Sequence, residues 1–236
     1  MKNIGLLVLL LVCSTSYGQL FALVDKDGYV HVRETGDNKA SIVRQLASGD
    51  LVFVFDEDYD KKADWQNVSF SDERIGKGGF IHNSRLKVLS TFDKIPLAKE
   101  SYTNIILEGK GIKIEMNIEE VDFEENKRDF IPQYKTVDGA YNLVGYKEQE
   151  AWGIEGLHKL SHYTSITISK YGNTIELPVS SFENMFNPSV KPKCVFDREN
   201  DTIYIYTSNG DGAGAYIVAW IIKGDTYIGR FVTRPF

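Results

Sequence analysis

Residues 202–222 read TIYIYTSNGDGAGAYIVAWII, and the small-residue centre of that run decides the fold. Either the loop grips a phosphate or a metal, or it only lets the chain reverse. A phosphate-cradling loop needs Gly-Lys-Ser/Thr and then a helix whose N-terminal amides hold the anion. Here AYIVAWII follows, β-branched and aromatic, with no lysine or hydroxyl at the required place. Gly210, Gly212 and Gly214 are too closely spaced for a dinucleotide fingerprint and open no helix. A calcium-binding nonapeptide would recur along the chain, and this one does not. Turn chemistry alone explains the composition. IYIYT enters, Asn209-Gly210-Asp211-Gly212 supplies positive-φ residues, and YIVAWII leaves. Lys223-Gly224-Asp225 then turns the chain into YIGRFVT, which predicts a three-stranded meander. The extra length at Gly212-Ala213-Gly214-Ala215 predicts a bulge or a close backbone approach.

The same period of two runs outward from this meander. YVHVRE (29–34), LVFVFD (51–56), IKIEMNI (112–118) and SITISK (165–170) alternate as strands do, separated by Gly-Asp, Asp-Gly and Lys-Gly turns. The clearest helical candidate is SSFENMFN (180–187), with Ser180 or Ser181 as N-cap and Pro188 as a stop. The fold class predicted is mostly β: a small N-terminal barrel, then an antiparallel β-rich domain with one or two short helices. Alternation stops after RLKVL, and the polar STFDKIPLAKESY places a linker at residues 91–100, between units at 19–90 and 101–236. The acidic clusters FDEDYD (55–60) and EEVDFEE (119–125) lack EF-hand ligand spacing and are read as solvated faces.

The first eighteen residues, MKNIGLLVLLLVCSTSYG, have one charge, an apolar core from Ile4 to Val12, and small or polar residues after it. That layout predicts a secretory signal cleaved after Gly18, with Ser16 and Gly18 as the small residues. It is too short for a comfortable membrane span, and no stop-transfer run follows. Acylation at Cys13 is the second option, disfavoured by bulky Val12 directly before it. The chain has 27 basic and 33 acidic residues; losing Lys2 with the leader takes the net charge from −6 to −7. An acidic chain without a basic stripe is a poor binder of nucleic acid or anionic membrane. The predicted mature chain keeps Cys194 alone, so it can form no internal disulfide. Cys194 lies in KCVFD, whose alternation predicts a buried, inert thiol.

Three segments in order carry a family resemblance. They are DKDGYVHVRETGDNKASIVRQLASGDLVFVF, ADWQNVSF and GKGGFIHNSRLKVL. Together they resemble the bacterial SH3-like (SH3b) domain over residues 20–90: a V-R strand and Gly-Asp turn, a Trp-x-x-Val strand, and a closing Gly-Gly-aromatic-Ile-His element. The family pattern often has Asn at the position of His31. Physics points the same way, since short strands with one aliphatic face can bury it by curling into a barrel. The resemblance implies binding of a peptide or cell-wall component in an aromatic-lined groove. The ligand-binding candidates are Tyr29, Tyr59, Trp65 and Phe80. For Trp65 and Phe80 the competing role is to fill the barrel. Asp56, Glu57, Asp58 and Asp60 beside Tyr59 would favour a ligand carrying amines, such as a diamino acid of a wall peptide.

No catalytic or metal-binding constellation is legible, and no cofactor is expected. His158 and His162 in EGLHKLSHY have zinc-like spacing, yet the Glu of H-E-x-x-H is missing and the flanks disfavour a helix. No Gly-x-Ser-x-Gly elbow is present, and Cys194 is neither near a histidine nor followed by Ser-Gly. Asp197, Asp201 and Asp211 are read as turn formers. The tail from AWGIEG onward is similar to C-terminal regions of secreted bacterial proteins without assigned activity, which implies no function. The expectation is an exported binding or adaptor protein with a peptide, a peptidoglycan-derived ligand or an envelope protein as partner. The alternatives are a glycan- or wall-acting hydrolase with carboxylates in the second unit, and an envelope inhibitor of immunity type.

Overall fold

The computed structural model describes residues 19–23, 27–55, 60–70, 78–135, 141–147, 149–154, 160–210 and 212–235. The predicted leader, the acidic run 56–58, Tyr59, His158 and Asp211 lie outside them. Among the described residues strands dominate and no helix exceeds one turn, as the alternating sequence requires. No helix there is long and apolar enough to cross a membrane.

The first seven strands are β1 (Gln19–Leu23), β2 (Tyr29–Arg33), β3 (Ile42–Ala47), β4 (Leu51–Val54), β5 (Trp65–Phe70), β6 (Gly78–His82) and β7 (Leu86–Val88). They form one sheet in the order β3-β2-β6-β5-β4-β1-β7. One face supplies Phe21, Leu23, Val30, Val32, Val52, Val54, Val68, Phe70 and Ile81 to a single cluster. Leu46 of β3 and Leu86 of β7 pack against that same cluster. Residues from both end strands can share one core only if the sheet curls on itself. Gly79 lets β6 approach β2: a Cβ there would lie 2.6 Å from Val32 Cγ1 and 2.7 Å from the Arg33 carbonyl oxygen.

The rest of the chain builds a sandwich. Next along it come β8 (Asp93–Ile95), β9 (Leu97–Lys99), β10 (Asn104–Gly109) and β11 (Ile112–Val121). Three short strands follow, β12 (Phe130–Lys135), β13 (Tyr141–Tyr146) and β14 (Gln149–Glu150), paired as a small separate sheet. The last six are β15 (Leu160–Lys170), β16 (Asn173–Glu176), β17 (Lys193–Asp197), β18 (Thr202–Asn209), β19 (Tyr216–Lys223) and β20 (Thr226–Thr233). One five-stranded sheet has the order β16-β15-β11-β10-β9 and the other β20-β19-β18-β17-β8. Ile105, Ile114, Met116 and Ile166 of the first meet Phe196, Ile205, Val218 and Trp220 of the second in the largest core.

The segment expected as a linker at 91–100 is instead strand in two places. β8 pairs with β17 in one sandwich sheet, and β9 pairs with β10 in the other. Phe92 is buried just ahead of them. The chain therefore crosses between the sandwich layers at Pro96.

The predicted meander is present as β18-β19-β20, antiparallel throughout, with a register shift between Ile221 and Ile222. Its central strand is buried at every position from Tyr216 to Ile222. Tyr216, Val218, Trp220 and Ile222 point into the sandwich core. Ile217, Ala219 and Ile221 point the other way, onto Leu20, Ala22, Leu51 and Phe53 from the outside of the curled sheet. A strand with both faces covered reads as a continuous apolar run rather than an alternation. The molecule thus has three layers, with the β18–β19 sheet in the middle.

The loop after β18 is a structural turn. Asn209 is buried; its side-chain oxygen accepts from the Ser189 backbone N–H at 2.9 Å and from the Thr207 hydroxyl at 3.0 Å. Gly210 follows with φ +65°, and its N–H donates to the Asn187 carbonyl at 3.0 Å. These bonds tie the turn to the segment 187–189 and commit the Gly210 amide to protein.

The helix expected at 180–187 does not form. A single 3₁₀ turn, Val179–Ser181, has no side-chain cap, and Met185 and Phe186 make isolated β-bridges with Trp152 and His162. Tertiary demand overrides local propensity here. Asn184 is buried, donates to the Glu150 carbonyl at 2.5 Å and accepts from Arg230 at 2.8 Å, bonds that a helix would not direct.

Candidate functional site

The curled sheet uses its outer face in two ways. The half on β1 and β4 is apolar and covered by the sandwich. The half on β3, β2, β6 and β5 carries rings and polar groups. Strand alternation explains the split: Val30 and Val32 enter the core while Tyr29, His31 and Arg33 point out. In β5 Val68 and Phe70 point in and Trp65 and Asn67 out; in β6 Ile81 points in and Phe80 and His82 out.

Register brings these side chains together. Trp65 lies opposite His82 and Asn67 opposite Phe80, while Arg33 of β2 lies opposite Phe80 from the other side. The Trp65 and His82 rings meet edge to face with centroids 5.3 Å apart. Tyr29 and His31 form a second ring pair at 5.1 Å. As β6 runs from Phe80 to His82, antiparallel β2 runs back from Arg33 to His31. The face thereby leads from Trp65 past the two imidazoles toward Tyr29.

The loop between β2 and β3 forms one wall. A Cβ on Gly36 would lie 3.1 Å from Trp65 Cβ and 3.6 Å from Phe80 Cδ1, so this loop rests on both rings. It is held by Arg33, whose guanidinium donates to the Ala40 carbonyl at 2.6 Å, and by an Asp37 carboxylate that accepts from the Lys39 N–H at 2.8 Å. Glu34, Asp37 and Asp64 place carboxylates close in sequence to Gly36 and Trp65. Asp60 lies in a turn where its carboxylate accepts from the Lys62 N–H, and buried Gln66 donates to the Asp60 carbonyl at 2.5 Å.

Three of the four sequence-predicted ligand residues are therefore on one face. Trp65 and Phe80 are half-buried and stand outside the curled sheet's core, and Tyr29 is 41% exposed. Tyr59 is outside the described residues. His31, His82 and the Gly36 loop were not among the candidates. Their signal was available in the alternation YVHVRETG and in GFIH, whose second, outward residues lie beside Tyr29 and Phe80.

Away from this face, Asp197 and Asp201 have structural partners. Asp197 is buried and accepts from the Glu199 N–H at 3.1 Å and the Asn200 side-chain amide at 2.8 Å. Asp201 sits at φ +49° in the same hairpin and binds Lys170. His162 lies in β15 opposite Glu119, stacked on Phe186. Burial pushes its imidazole below the ordinary histidine value, with nearby Glu119 opposing. Cys194 is fully buried, and that burial pushes its thiol far up, away from the reactive range. Among the described residues no three His, Cys, Asp or Glu side chains are placed to hold a metal.

No family model matches the chain, and no match is found among the curated proteins or the solved structures.

Proposed function

We propose that this is an exported bacterial binding protein whose N-terminal SH3-like sheet recognises a peptide or cell-wall-derived ligand on its uncovered outer face. The observation that carries the reading is the convergence of Trp65, Phe80 and His82 beside the Gly36 loop, on the half of the sheet that the sandwich leaves free. Rings that a core does not need are the usual anchors of recognition surfaces, because they offer large contact area at little entropy cost. The carboxylates of Glu34, Asp37 and Asp64 give that surface the sign for a ligand carrying an amine, such as a diamino acid in a wall peptide. Cleavage after Gly18 fits this reading, since Gln19 would then open a strand paired on both sides by β4 and β7. The role lies in recognition, with the sandwich as the rigid body that fixes the sheet.

Binding of a soluble wall tripeptide, L-Ala-D-Glu-meso-diaminopimelate, to the purified protein tests this directly. Trp65→Ala and Tyr29→Ala are each expected to weaken it by at least about fivefold, since truncating an anchor costs more than about 1 kcal/mol. Unchanged affinity in both variants removes the proposal.

An envelope protein as partner is the second reading. It is favoured by the edge strand β3, which pairs with β2 alone among the described residues and where Ile42 and Val43 are about half exposed. Capture of one envelope protein at stoichiometric yield, lost in Ile42→Lys, would select it.

A further inference from the structure

Two rings of the uncovered face each lean on an imidazole. Trp65 meets His82 edge to face at 5.3 Å, and Tyr29 meets His31 at 5.1 Å. The chain has four histidines, so half of them stand on this face, both half-buried at outward positions of their strands. His82 is also fixed from behind. It caps the 3₁₀ turn Asn83–Arg85: its Nδ1 accepts from the Ser84 backbone N–H at 3.3 Å, and the Ser84 hydroxyl lies 2.8 Å from the same nitrogen. An imidazole that accepts through Nδ1 is neutral, because imidazolium carries a proton on both nitrogens and can only donate. Charging His82 therefore breaks the cap bond and puts a positive charge beside Trp65.

The neighbouring elements carry charges of both signs. Asp27 precedes β2, Arg33 ends it with its guanidinium on the Ala40 carbonyl, and Glu34 and Asp37 follow in the loop. Lys61, Lys62 and Asp64 lie ahead of β5, where the Asp64 carbonyl accepts from the Asn83 N–H at 2.7 Å, and Arg85 ends the capped turn. β3 sets neutral Gln45 opposite His31. Histidine is the side-chain type that changes charge between about pH 5 and 8.

We infer that recognition on this face is switched by pH, with proton uptake at His82 and His31 releasing an amine-bearing ligand. The inference rests on the reading above, that the face binds such a ligand. In neutral solution the amine meets rings whose π faces attract a cation, inside a rim of carboxylates. In acid, an imidazolium beside each ring repels the amine and competes with it for the same carboxylates. The His82 ring, its cap bond gone, is no longer fixed against Trp65.

Titration of the purified protein with the wall tripeptide at about pH 7.5 and about pH 5.5 tests the inference. Wild-type affinity is expected to fall roughly tenfold across that range, the response of an amine to two new like charges on the face. His31→Gln and His82→Gln should each cut the fall to about threefold, and the double variant should keep only the part due to the ligand's own ionisation. His162→Gln, in the sandwich, should respond as the wild type does. An equal response in wild type and double variant, tighter binding in acid, or a response lost in His162→Gln overturns the inference. Absence of binding at both pH values instead fails the recognition reading itself and takes this inference with it.

Discussion

The Lys170 ammonium lies 2.5 Å from Oδ1 of Asp201, and that pair ties the two sandwich sheets together at one end. Lys170 ends β15 in one sheet; Asp201 and Gly224 belong to hairpin turns of the other, and Lys170 also donates to the Gly224 carbonyl at 3.1 Å. The lysine is 5% exposed and its partner 53%. A buried ammonium without a carboxylate costs far more than the pair contributes, because its hydration is not replaced.

Removing the two partners should therefore have unequal effects. Asp201→Ala strands the ammonium and forces alanine to a positive φ, so a loss of about 2–3 kcal/mol is expected. Asp201→Asn keeps the local conformation and should lose about half of that. Lys170→Met, which removes the charge and keeps the apolar stem, should cost about 1 kcal/mol or less. Urea unfolding measures all three, and a Lys170→Met loss larger than that of Asp201→Ala contradicts the ranking.

His162 gives the sandwich a pH dependence of known sign. Its folded value is depressed from 6.5 chiefly by burial, against the pull of Glu119, with Lys147 and Glu183 also acting on it. The unfolded chain then binds more protons at mildly acidic pH. Its stabilising contribution is full above about 6.5 and is lost as the pH falls from there through the lower folded value. His162→Gln should flatten the fall in urea midpoint between about pH 7 and pH 5 relative to wild type. Parallel curves for the two proteins would remove His162 as the cause.

The curled sheet and the sandwich should unfold as one unit. Tyr204 lies in the shared core, stacked on Phe92, and its hydroxyl donates to the Gly49 carbonyl in a turn of the curled sheet at 3.1 Å. Trp65 reports on the curled sheet and Trp220, wholly buried, on the sandwich. Single-tryptophan variants should show coincident transitions, and Tyr204→Phe should lower both midpoints by an amount matching about 1 kcal/mol. Separate transitions, or a shift at Trp220 alone, would mean that the layers are independent.

Much of the fold was legible because strand alternation is a local signal. YVHVR, IKIEMNI and TIYIYT formed strands, and the meander around Asn209 and Gly224 followed from turn chemistry. What escaped depends on distant partners. DKI and LAK are three residues each, too short and charged to read as strands, and take that form only because β17 and β10 offer edges. SSFENMFN has the look of a helix, but buried Asn184 answers to Glu150 and Arg230. Tyr29, Trp65 and Phe80 could be named from sequence; that Trp65 meets His82, with Gly36 against it, required the β5–β6 register.

The most direct test of the recognition role is an amide-resolved NMR titration of the purified protein with the same wall tripeptide. Shifts concentrated at residues 29–33, around Gly36, and at 65–67 and 80–82, saturating at one equivalent, are the predicted result. No saturable shifts, or shifts confined to the sandwich with Trp65 and Tyr29 unmoved, would contradict it.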